Sequence, residues 1–163
     1  MISKNTMIGF AIACLSASSL MASPMSPEQK LTQLADHYYQ HAQELTPEYA
    51  VFYGQPDLLA DRLTDNSLKA QAKYQQTEDD MLKNLEQIVP EKLTSASDKA
   101  TYRVLKELLE NARNTRVCRR ELWDIDHMFG WHVAYPKLLT MQPVETEAQG
   151  NNLIKRWQQL TVF

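Results

Sequence analysis

Two imidazoles one helical turn apart can face a single metal ion, and His37-Tyr38-Tyr39-Gln40-His41 has that spacing. The stretch lacks a Glu after its first His to activate a metal-bound water. Both histidines flank an apolar stripe, so they read as boundary residues of a helix. A denser cluster follows later: Trp123, Asp124, Asp126, His127, Gly130, Trp131 and His132 fall within ten residues of irregular patterning. Irregular segments on a rigid scaffold often carry function, whereas aromatics with polar handles also anchor long loops. Asp126, His127, Trp131 and His132 are therefore cleft candidates, weighed against an anchoring role that the pattern favours. Arg113, Arg116, Arg119 and Arg120 crowd the end of another helix, where cations complement the dipole. Glu107, Glu110 and Glu121 nearby disfavour anion binding there. No Ser-His-Asp order, Gly-rich phosphate loop or CxxC pair is present, and an enzyme complete within this chain is a minor reading.

The elements that must position these groups are helical. Ser26-Pro27-Glu28-Gln29 combines a cap, a proline at the first helical position and a Gln that closes a capping box. Leu31, Leu34, Ala35, Tyr38, Ala42 and Leu45 then recur at helical steps. Thr46-Pro47-Glu48 opens a short helix, with Thr46 as cap, that Gly54 and Pro56 stop. Residues 55–65 form a leucine-bearing loop lying on the core. A longer helix runs from about Asn66 to Val89, where Pro90 ends it, with Ala70, Tyr74, Met81, Leu85 and Ile88 on one face. A second capping box at Ser95-Ala96-Ser97-Asp98 starts a helix through Val104, Leu105, Leu108 and Ala112 to about Cys118. Residues 119–143 are less regular. Thr146 caps a last helix carrying Leu153, Ile154, Trp157 and Leu160, with Gly150 inside it costing about 1 kcal/mol relative to Ala. No β-branched run alternates with period two. The fold class is all-α: four longer amphipathic helices and a short one.

Composition bounds the rest. The chain has 163 residues, 44% of them hydrophobic and 23% charged, enough for one domain with a core and too apolar for a disordered chain. A net charge of −3 offers no basic footprint for nucleic acid. Residues 1–22 place Lys4 before an apolar run at 7–15 and then small residues, the layout of a cleaved signal peptide ending after Ala22. That run is too short for a membrane span. A lipoprotein signal at Ala11-Ile12-Ala13-Cys14 is the lesser alternative, its apolar run being very short. The expectation is a periplasmic or secreted helical domain over 23–163, keeping one cysteine, Cys118. In an oxidising compartment a lone cysteine is expected to be buried.

A family resemblance adds to this. Arg120-Glu121-Leu122-Trp123-Asp124-Ile125-Asp126, Gly130-Trp131, Gln142-Pro143-Val144 and Asn152-Leu153-Ile154-Lys155-Arg156-Trp157 resemble a bacterial family known as domain of unknown function 885. Thr46-Pro47-Glu48-Tyr49-Ala50 and Phe52-Tyr53-Gly54 are similar to its early stretch. The resemblance implies a longer, exported, helical protein whose later part carries an HExxH-type zinc-peptidase motif, the two His holding zinc and the Glu activating water. None of the four histidines here begins such a motif, so zinc is implied for full-length members and no cofactor for this chain. The chain then reads as an N-terminal helical portion, inactive alone, that walls one side of a peptide-substrate channel. Its partner would be the C-terminal portion of the same family domain. The competing expectation is an autonomous periplasmic binding or adaptor domain.

Overall fold

A computed structural model of the protein describes residues 25–119, 122, 127–128 and 130–162. The expected signal peptide with Cys14, the residues Arg120 and Trp123, and Asp126 lie outside them. Among the described residues there are helices, tight turns and loops, with no strand, so the all-α class holds.

The described residues form five α-helices: α1 (Pro27–Leu45), α2 (Leu68–Glu86), α3 (Ala96–Thr115), α4 (Trp131–Met141) and α5 (Glu147–Gln158). Their starts follow the cap chemistry. Ser26 Oγ accepts from Gln29 N–H at 3.2 Å while Gln29 Oε1 accepts from Ser26 N–H at 3.0 Å, a complete capping box. Thr146 and Gln149 repeat it at α5. At α3 Ser95 Oγ accepts from Asp98 N–H, but the Asp98 carboxylate accepts a hydrogen bond from the Ser95 hydroxyl at 2.6 Å instead of reaching back to the cap backbone. The helix expected from Asn66 starts one cap later, on Ser67.

Thr46 departs from expectation. Its side chain makes no cap bond to the following 3-10 helix, Pro47–Tyr53; its hydroxyl donates back to Ala42 O of α1 at 3.5 Å. Gly54 ends that short helix in the left-handed region (φ 74°), where a glycine carries no Cβ penalty.

Helix α4 lies in the stretch expected to be irregular. Pro136 sits inside it and has no N–H for the His132 carbonyl. His132 is thus helical.

The core has two parts. Helices α1, α2 and α3 pack on one another around Leu31, Leu34, Met81, Leu82, Leu85, Ile88, Leu93, Tyr102, Leu105 and Leu109. The buried face of α3 is Tyr102–Leu105–Leu109, so Val104 and Leu108, expected inside, point outward at 57% and 42% exposure. Positions 104 and 108 fall on the neighbouring stripe of the same helix. Val89, just beyond the end of α2, is likewise exposed. The second part joins Leu63, Tyr135 and Leu138, with Val51, Ala134, Trp157 and Leu160 against them.

A candidate site: the side-chain cradle around residues 59–64

The loop at 55–65 brings Ala60 and Leu63 into the core, as expected, and six consecutive residues of it are held by side chains from three other segments. Arg156 of α5 donates from Nε to Arg62 O at 2.9 Å and from Nη2 to Leu59 O at 2.9 Å. Its Nη1 donates to Gln142 Oε1 at 2.7 Å, and Gln142 Nε2 donates to Ala60 O at 3.0 Å. Gln159 donates to Asp61 O at 2.6 Å and accepts from Leu63 N–H at 3.1 Å. Glu48 completes the set, its carboxylate accepting from Thr64 N–H at 2.9 Å and from Thr64 Oγ1 at 2.6 Å.

Burial makes these bonds matter. Arg156 is 2% exposed, and Glu48 and Gln142 are also buried. Burial pulls the Arg156 guanidinium below its ordinary basicity, and Glu48, Asp61 and Tyr135 partly offset this. Its planar fork satisfies three separate acceptors, a task a lysine cannot repeat. Leu59 sits in the left-handed region (φ 50°), a conformation a leucine rarely keeps unless its surroundings hold it. The grip on the carbonyls of 59 and 60 supplies that hold. Helix α5 was expected to bury Ile154; the fully buried residue is Arg156, and Ile154 is exposed.

The cleft candidates behave differently. His127 is exposed in a turn. Trp131 opens α4, partly exposed, with its ring 5.9 Å from His132 and 6.2 Å from Tyr135. His132 is exposed. Trp131 and His132 are thus brought together, and Trp131 also leans on the core through Tyr135. A groove of about 420 Å³ opens elsewhere, between α1 and α2, lined by Lys30, Gln33, His37, Asn84 and Gln87 among others.

The two histidines of α1 divide. His37 is exposed, but His41 is buried, correcting the reading of two boundary residues. The inner face of α1 is Leu31–Leu34–Tyr38–His41, and His41 falls on it. Its ring meets Tyr74 of α2 edge-on at 5.7 Å, and its Nε2 has no hydrogen-bond partner. Arg116, expected to serve the dipole of α3, instead reaches α2. It holds both Asp79 carboxylate oxygens at 3.0 and 2.9 Å, Glu78 at 3.1 Å and Gln75 O at 3.0 Å. Burial disfavours its charge, but the bonds from Asp79 and Glu78 outweigh this and raise its basicity. Cys118, expected inside, is a free exposed thiol. The chain leaves α3 there through the 3-10 turn Arg116–Cys118, which buries no residue.

No three His, Cys, Asp or Glu side chains among the described residues come together so as to hold a metal ion. No helix among them is long and apolar enough to cross a membrane.

The cradle is built from three chain segments that lie far apart in sequence, and each includes a stretch whose residues resemble the family. Glu48 belongs to Thr46-Pro47-Glu48, Gln142 to Gln142-Pro143-Val144, and Arg156 to Lys155-Arg156-Trp157. An all-helical domain braced by such a network is the class that fold and site define. Residues 47–163 match the family described as a bacterial protein of unknown function, DUF885, and the chain belongs to it. No curated protein and no solved structure matches the chain.

Proposed function

We propose that the chain is the N-terminal helical portion of an exported, zinc-peptidase-like protein and does not catalyse by itself. The observation that supports this best is the convergence of the motif residues Glu48, Gln142 and Arg156 on a buried brace rather than on an open cleft. Residues spent on holding a loop from inside suit a scaffold. In this reading zinc and its activating Glu come from a later HExxH helix of the same family domain, and this portion forms a wall of the peptide channel. The exposed Val104 and Leu108, one turn apart on the outer side of α3, fit a face that a further helical portion would cover. His127, Trp131 and His132 are assigned to the channel side.

Sequencing the gene past the codon for Phe163 in all three frames tests this. A downstream frame with an HExxH helix is the expected result. A stop codon followed by unrelated sequence would overturn the reading and leave an autonomous binding or adaptor domain. In a full-length relative, alanine at the position equivalent to Trp131 should lower turnover while leaving the fold intact. Unchanged turnover would remove Trp131 from the channel.

A further inference from the structure

His41 is more than nine-tenths buried, yet its Nε2 has no partner. An imidazole in such a seat is held there by packing, chiefly the edge-on ring of Tyr74. The charged groups around it come from both elements that meet there. His37 and Glu44 face it from α1, and Glu78 and Lys73 from α2. Glu78 is already engaged by Arg116 of α3. Tyr74, the ring under His41, in turn faces Asp65, Glu44 and Glu48, the last of these a cradle residue. His41 therefore stands where the three-helix core ends and the segment carrying Glu48 begins.

We propose that His41 is a proton-sensitive joint between the two parts of the core: when its imidazole takes up a proton it leaves its seat against Tyr74, and the end of α1, which carries the Pro47–Tyr53 helix packed on it, loosens from α2. Burial is the main reason that His41 resists protonation, with His37 and Lys73 adding to it and Glu78 and Glu44 opposing it. The sign follows. The opened state binds a proton near the ordinary histidine value of about 6.5, before the folded state does. The packing is therefore fully held above that value and weakens as pH falls through it. An exported protein meets such pH changes directly.

Amide hydrogen exchange on the purified chain, corrected for intrinsic rates, tests the joint. Between about pH 7.5 and about pH 5.5, protection at 41–45 should fall by a factor of several, with about tenfold as the upper bound, relative to the centre of α3. His41→Phe, which keeps a ring against Tyr74 and cannot titrate, should abolish that difference. An equal change in both regions, or a difference that survives in His41→Phe, would overturn the proposal. Should His41→Phe fail to fold, the wild-type imidazole resonance decides: a midpoint clearly below the ordinary value supports the joint, and one at or above it overturns it.

Discussion

Arg156 shows how a single side chain can fix backbone on three sides. Truncating it to alanine leaves the carbonyls of Leu59 and Arg62 and the Gln142 amide oxygen without their donors. Arg156→Ala should lower the unfolding free energy by about 3 kcal/mol, read as a shift of the urea midpoint at unchanged slope. Arg156→Lys should recover less than half, because an ammonium cannot reproduce the fork. A loss below about 1 kcal/mol for the alanine variant would show that the cradle holds nothing in place. The sequence shows Arg156 only as part of the stretch 152–157 that resembles the family, with no partner named for it. Its partners stand up to 97 residues away, and no local pattern encodes such a bond. His41 was hidden for another reason: its neighbours read as an apolar stripe, and a histidine on the margin of a stripe can fall to either side.

Elements were more legible than faces. Ser26, Ser95 and Thr146 cap as their types dictate, since a cap is a local hydrogen bond between residues three apart. Ser95→Ala should therefore cost about 1 kcal/mol, measured by thermal unfolding, and no loss would mean that α3 starts elsewhere in solution. Which stripe of α3 turns inward was not legible, because Val104 and Leu108 are as apolar as the residues that won. Helix α4 was not legible in the irregular patterning of residues 119–143, and it carries Pro136, whose missing N–H disfavours a helix interior. Pro136→Ala restores that donor, and the ring it removes is exposed. The variant should be more stable by about 1 to 3 kcal/mol with slightly greater helical ellipticity. A destabilised variant would show that the core is shaped around the proline.

At the scale of the molecule, two apolar clusters share one chain. The class of fold was readable because helical periodicity repeats along nearly the whole sequence; the division of the core was not, because it depends on where helices cross. Export is expected to remove residues 1–22, so intact mass of protein recovered from the host periplasm should begin at Ser23. A diacylglycerol adduct on Cys14 would instead mark a lipoprotein. The cradle has one more consequence, for the order of events on the ribosome. The three-helix part is complete in sequence once α3 has been made, whereas the loop at 59–64 must wait for Gln142, Arg156 and Gln159. Synthesis thus produces a packed bundle with an unsettled loop between α1 and α2, which α5 ties down only when it emerges later.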